Sequence, residues 1–134
     1  MNDSEELWDK RYSDNPVLNP PSEFLEEFEQ YLPTQGTCVD IAGGNGRNAL
    51  WFAKKGYTTS VIDISSVALN QATKSAQSQK VELECIYWDI EKNLLPPERT
   101  WDIALLTLFL NRGVLQTANE YLNPQGILLF AQPT

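Results

Sequence analysis

Three aspartates and one glycine-rich turn have the residue types and spacing to do chemistry. The stretch Val39-Asp40-Ile41-Ala42-Gly43-Gly44-Asn45-Gly46-Arg47-Asn48-Ala49 joins a short apolar run to a helical pattern through an acid and three glycines. Glycines let backbone amides approach a ligand closely, and the helix that follows offers its positive end. Asp63 lies 17 residues past Gly46, at the end of a second apolar run. An acid there accepts hydrogen bonds from both hydroxyls of a ribose. Asp89 closes a third run, in the position that lies beside an adenine in nucleoside-binding sheets. Taken singly, the turn is an ordinary strand-to-helix connection and each aspartate a solvated loop acid. Three acids at successive strand ends on one rim are much harder to explain that way.

Two nucleoside chemistries compete for this pattern. Gly44 to Ala49 satisfies G-x-G-x-x-G/A, the dinucleotide fingerprint, with Asp63 placed for the cofactor ribose. Asp40 argues against it, because a pyrophosphate over the turn would face a carboxylate, whereas a ligand carrying an ammonium would be attracted. The chain has no histidine, so a Ser-His-Asp triad and a Cys-His zinc site are both excluded. Cys38 and Cys85 stand alone and read as buried small hydrophobes in a reducing compartment.

The elements that must position these groups follow from periodicity. Leu7 to Tyr12 suits a short helix, followed by the connector DNPVLNPPS. Phe24, Leu25, Phe28, Tyr31 and Leu32 predict one amphipathic helix, with Ser22 as N-cap and Pro33 as its end. The acidic run Glu23, Glu26, Glu27 and Glu29 is its solvated face. Cys38 to Ala42 reads as a buried strand, Asn48 to Lys55 as a helix closed by Gly56, and Thr58 to Ile64 as a β-branched strand. Ser65-Ser66 cap a helix to about Ser78. Val81 to Trp88 alternates like a strand with one wetter side at a sheet edge, and Pro96-Pro97 break the chain after it. Trp101 to Phe109 is nearly continuous apolar sequence, as in a strand covered on both faces. A helix around Val114 to Leu122 leads to the turn Asn123-Pro124-Gln125-Gly126 and a fifth strand, Ile127 to Ala131. Strands alternating with helices imply an α/β fold with a doubly wound, mostly parallel sheet, whose ligands bind beyond the carboxyl ends of the strands.

At 134 residues, 42% hydrophobic and 21% charged, the chain suits one folded domain over residues 1–134. A net charge of −8 repels phosphate backbones and anionic lipid, which points away from nucleic acid and membranes as partners. The acidic N-terminus lacks an apolar leader and no apolar run approaches a membrane span, so a cytoplasmic location is expected.

The segments VDIAGGNGRNALWFAKKG, VIDISSVAL and YWDIE resemble the class I S-adenosylmethionine-dependent methyltransferases. The W-x-x-R-Y element at Trp8, Arg11 and Tyr12 resembles the small tellurite-resistance-like branch, as do FLNR at Phe109 to Arg112 and the NPQG turn. The resemblance spans nearly the whole chain and implies a Rossmann-like fold, S-adenosyl-L-methionine as cofactor and a small-molecule methyl acceptor. It implies that Asp40 lies near the methionine amino group and that Asp63 grips the ribose, with Ile64 on the adenine face. Asp89, with the amide of Ile90, would bind the adenine amine. The backbone of Ala42, Gly43, Gly44 and Gly46 would line the amino-acid tail and ribose, and Thr107 and Leu108 the methyl group. Residues 1–21 would form a lid segment over the 22–134 core, with Tyr12 and Trp8 over the sulfonium and Arg11 on the cofactor carboxylate. Packing onto the domain is the competing role for Trp8 and Tyr12, solvation for Arg11 and Arg47, and packing is favoured for Trp51.

Two departures from the family pattern stand out. Ala42 replaces its first glycine, which a tight turn accepts if φ is negative. The chain has length for five strands but not for the C-terminal helix and antiparallel hairpin of that family. A shortened form is therefore expected, with the fifth strand an exposed apolar edge that makes the chain poorly soluble or self-associating. Methyl transfer from a sulfonium asks mainly for alignment and removal of water. A soft acceptor such as a thiolate, selenide or reduced tellurium species needs no base. An alcohol or amine would call on Asp89, Tyr12, Tyr87 or Asp102, none with a strong claim. The alternative is a non-catalytic nucleoside-binding remnant or interaction module.

Overall fold

The structure, a computed structural model, describes residues 3–93, 95–96, 99–107 and 112–131. Helix α1 (Asp3–Asp14) and α2 (Phe24–Phe28), the latter running into a 3-10 turn Glu29–Tyr31, precede an alternating series. That series is β1 (Thr37–Ile41), α3 (Arg47–Lys54), β2 (Thr58–Asp63), α4 (Ser66–Gln79) and β3 (Glu84–Tyr87). It continues with β4 (Trp101–Thr107), α5 (Arg112–Gln116), α6 (Ala118–Tyr121) and β5 (Leu122–Ala131). The five strands form one sheet in the order β3-β2-β1-β4-β5, and every pairing is parallel. The chain winds outward from β1 to β3 and then returns to the other side of β1, so the winding direction switches between β1 and β4. A crevice opens at such a point because the flanking connections leave in opposite directions.

Strand alternation sends side chains to two cores. Val39, Ile41, Ile62, Ala104 and Leu106 pack with Trp101, Val114 and Tyr121 on one face. Cys38, Ile103 and Leu105 pack with Leu25, Phe52 and Tyr57 on the other. Trp101 has the parity of Ile103 yet lies in the opposite core, at the point where the β4–β5 register shifts. Complete burial of side chains such as Trp101, Phe52 and Leu25 stabilises the domain by roughly 1.5–3 kcal/mol each.

Several local expectations need correction. Ser22 does not cap α2: the preceding position is Glu23 in helical conformation with no side-chain cap, and the Ser22 amide donates to Asn48 Oδ1 at 2.8 Å. The expected single helix there is five residues and a 3-10 turn. The helix expected up to Leu122 divides at Thr117, whose hydroxyl donates to the Gly113 carbonyl at 2.7 Å in competition with the helix ladder. Asn123 to Gly126 forms an excursion inside β5, with Gln125 at φ 66°, and regular pairing resumes from Ile103 to Ile127. β3 begins at Glu84 because Lys80, at φ 59°, ends α4 and the next residues cross to the sheet. Its residues do not sort into one buried face: Leu83 and Cys85 pack on Val61, Leu69 and Ala72, Ile86 packs on the opposite core, and Tyr87 is 51% exposed. Pro97, Leu108 and Phe109 to Asn111 lie outside the described residues. Among the described residues no helix is long and apolar enough to cross a membrane.

Candidate functional site

The site starts from the carboxyl end of β1. Asp40 points to the face opposite Val39 and Ile41, and the chain then turns back over it. A Cβ on Gly43 would stand 2.6 Å from the Asp40 carboxyl carbon and 2.7 Å from Val61 Cγ2, so only glycine lets the turn sit this low. Ala42 adopts φ 57°, the left-handed region and not the negative φ expected of an alanine here. That conformation costs an L-residue about 1–2 kcal/mol. Gly44 and Gly46 follow at φ 62° and 93°, and Gly46 opens α3 by accepting the Leu50 amide at 2.8 Å. A Cβ on Gly44 would collide with the hydroxyl of Tyr12 from α1.

Asp63, the last residue of β2, ties this turn to the next. Its Oδ2 accepts the Gly44 amide at 2.8 Å and its Oδ1 the Ser65 amide at 2.9 Å. Burial raises its carboxyl above the ordinary range against those two bonds. Each oxygen keeps a second lone pair for a ligand hydroxyl. Asp40 is 1% exposed, and neither of its oxygens has a hydrogen-bond partner among the described residues. The Ala49 amide favours its charged form without reaching hydrogen-bond geometry, and Arg47 acts in the same direction. Burial, then the charge of Asp63, outweigh both and push Asp40 up to about 8. Tyr12 is pushed up to about 12, first by burial and then by Asp63 and Asp40.

Above the turn lies a cleft of about 400 Å³. Ala42, Gly43, Asp63, Ile64, Asp89, Ile90 and Thr107 line it from the sheet side, and Arg11 and Tyr12 from α1. Asp40, Gly44 and Gly46 do not line it but form the buried floor of the turn. Asp89 holds its own loop, accepting the Glu91 amide at Oδ1 at 3.0 Å, and Ile90 is buried in the core beneath. Trp8 also lines the cleft, stacked under the Arg11 guanidinium at 4.8 Å. Arg47 lines it too, with one guanidinium nitrogen donating to the Pro20 carbonyl at 3.3 Å. Trp51 instead packs edge-on against Phe52 on the second core, away from the cleft.

Two expected bases are elsewhere engaged. Asp102 sits at the opposite end of β4 from Thr107 and accepts bonds from Thr37 and Asn123, which hold it below the usual carboxylate range. The Tyr87 hydroxyl donates to Glu5 at 2.7 Å. Cleft residues missed from the sequence include Trp88, Asn48 and Asn19. Adjacency to Asp89 and to the glycine turn was the signal available for the first two; Asn19, in the connector after α1, had none.

Residues 38–126, more than half of the chain, match the methyltransferase domain family. The chain belongs to this family. The methyltransferase domain is 27% identical over 106 residues to the tRNA 5-carboxymethoxyuridine methyltransferase of Escherichia coli, covering 72% of this chain and 40% of that enzyme. Its fold is that of a Geobacter sulfurreducens S-adenosylmethionine-dependent methyltransferase solved with S-adenosyl-L-homocysteine: TM-score 0.72, 19% identity, 97% of this chain and 56% of that one. TehB from Haemophilus influenzae aligns at TM-score 0.70 and 18% identity, over 92% of this chain and 44% of its own. The methyltransferase domain thus spans about half the length of these relatives, and its five-stranded parallel sheet has the Rossmann-like methyltransferase fold.

Proposed function

We propose that the chain binds S-adenosyl-L-methionine in the cleft at the β1–β4 switch and transfers its methyl group to a small-molecule acceptor. The observation that carries this reading is Asp40, a fully buried carboxyl beneath a glycine turn, with both oxygens unpartnered among the described residues. Leaving such a group unsatisfied costs about 1–3 kcal/mol or more, and an ammonium seated nearby, directly or through water, relieves it. A pyrophosphate would aggravate it, which disfavours a dinucleotide.

The residues present fit the cofactor. Asp40, from beneath the turn, would attract its amino group, Asp63 would hold its ribose hydroxyls, and Asp89 with the Ile90 amide its adenine, with Ile64 on the ring face. Ala42 to Gly46 supply close backbone, Thr107 borders the reacting end, and Arg11 and Tyr12 close over the carboxylate and sulfonium. When bound, the cofactor supplies an electrophilic methyl group on sulfur. The chain's own part is to align the acceptor in line with that bond and to exclude water. A thiolate, selenide or reduced tellurium species needs no proton removed, which suits a chain without histidine. The free cysteines Cys38 and Cys85 are compatible with the reducing cytoplasm.

An RNA acceptor is the second reading, favoured by the tRNA enzyme among the relatives. The net charge of −8 weighs against it, since phosphate contacts carry most non-specific affinity for nucleic acid. The discriminating experiment incubates the purified chain with methyl-labelled cofactor and thiol, selenite with reductant, tellurite with reductant, or bulk tRNA. Label in the small acceptors is the expected result, and label in tRNA alone would overturn the acceptor class. Calorimetric binding of S-adenosyl-L-homocysteine with no transfer to any acceptor would reduce the chain to a binding module. Binding left unchanged by Asp63→Ala would refute the site.

A further inference from the structure

Helix α1 is fastened to the domain by polar bonds from one face. Glu5 accepts the Tyr87 hydroxyl at 2.7 Å, and Asp9 Oδ1 accepts the Ser65 hydroxyl at 2.6 Å. The Ser4 hydroxyl donates to Glu91 at 3.2 Å, and the Tyr12 carbonyl accepts from the Gln71 side-chain amide at 2.9 Å. These partners sit on β3, the β2–α4 turn, the loop after β3, and α4. Apolar burial of the helix is partial, with Leu7 and Trp8 still 47% and 38% exposed. Bonds of this kind exchange with water at small net cost, so the helix is poised to lift as a unit.

Ser65 joins this fastening to the floor of the cleft. Its hydroxyl oxygen accepts the Ala68 amide at 3.1 Å as the cap of α4, while its proton goes to Asp9 and its own amide to Asp63. Asp63 in turn holds the Gly44 amide. A continuous path therefore runs Asp9–Ser65–Asp63–Gly44, and the Tyr12 hydroxyl of the same helix lies against Gly44 at its far end. The path returns to the helix it left.

We propose that α1 is a strap across the cleft, clasped by Asp9 on Ser65 and by Glu5 on Tyr87, and coupled through Ser65 and Asp63 to occupation of the ribose side of the site. The coupling rests on the cofactor reading above. Because coupling is reciprocal, a ligand seated on Asp63 firms the strap, and the closed strap slows the ligand's departure.

Trypsin reports the strap directly, since the bonds after Lys10 and Arg11 lie within α1 and are cut only when the helix opens. The test compares the wild type with Asp9→Ala, Tyr87→Phe and the double variant. Loss of the N-terminal peptide is read by mass spectrometry, and S-adenosyl-L-homocysteine dissociation by the emission of Trp8 and Trp88, which line the cleft. Melting temperatures serve as the control for folding. In the double variant both rates are expected to rise roughly tenfold, and in the wild type the ligand should suppress the cleavage. Ligand binding by the wild type with both rates unchanged in the variants would overturn the strap while leaving the cofactor reading intact. No binding by the wild type at millimolar ligand would instead overturn the cofactor reading, and the coupling with it.

Discussion

A carboxyl held near 8 by burial and a neighbouring acid changes charge within the range where proteins work, and at Asp40 this has two consequences. The folded group titrates far above the 3.8 of an ordinary aspartate, so between these values the native state holds a proton that the unfolded state releases. Stability therefore falls as pH rises through that window. Asp40→Asn is expected to melt higher than the wild type at about pH 9, with the gap narrowing steadily as pH falls through the window and closing only at about pH 4, where the unfolded aspartate also takes up its proton. A gap of the same size at both pH values would show that the charge is not responsible. The second consequence concerns the ligand. An ammonium favours the ionised acid, so affinity for S-adenosyl-L-homocysteine should rise by up to about tenfold per pH unit below 8 and flatten above it. Calorimetry in buffers of different ionisation enthalpy should detect the proton released. Ala42 gives a contrasting prediction: Ala42→Gly relieves the left-handed strain but loosens the unfolded chain, for a net gain of up to about 1 kcal/mol. Urea denaturation measures it.

At the scale of elements, the β2–α4 turn does most of the positioning. Ser65 caps α4 at φ −96°, ψ 109° and anchors α1 through the same hydroxyl. Ser65→Ala is expected to destabilise the domain by about 1–2 kcal/mol, and Ser65→Thr, which keeps the hydroxyl, to restore most of the loss in the same urea titration. This cap was legible in the sequence because a serine before an amphipathic run acts through the local backbone. Ser22 has the same appearance yet does not cap: helical backbone already begins at Glu23, and the Ser22 amide donates to Asn48, 26 residues away. Thr117 and the Asn123 to Gly126 excursion shift element boundaries through a side-chain bond and a strand register that periodicity does not encode, and Lys80 ends α4 by a left-handed backbone turn at a residue that is not glycine.

For the whole molecule, the unequal edges of the sheet matter. At the β3 edge Glu84 pairs with Arg99, and the hydroxyl of the half-exposed Tyr87 donates to Glu5 of α1. β5 carries no charged residue from Leu122 to Ala131 and, among the described residues, pairs only with β4, and its Phe130 is 45% exposed. Such an edge invites strand addition. The purified chain is expected to self-associate with rising concentration in light scattering, and Phe130→Lys to shift it toward monomer. A monodisperse monomer throughout would count against this.

Period-two apolar runs, a glycine turn and acids at strand ends are local properties, and from them the sequence alone determined the α/β class, the order of elements and the residues placed together at one end of the sheet. Only the tertiary structure decided how those residues are used. It put Asp40 under the turn rather than in the cleft, drew Tyr12 onto Gly44, and sent Asp102 to the far end of its strand. It also turned an acidic N-terminal helix into a cover held by hydroxyl-to-carboxylate bonds. The reason is physical: burial, partner and charge depend on which distant segments the winding of the sheet brings within a few ångströms.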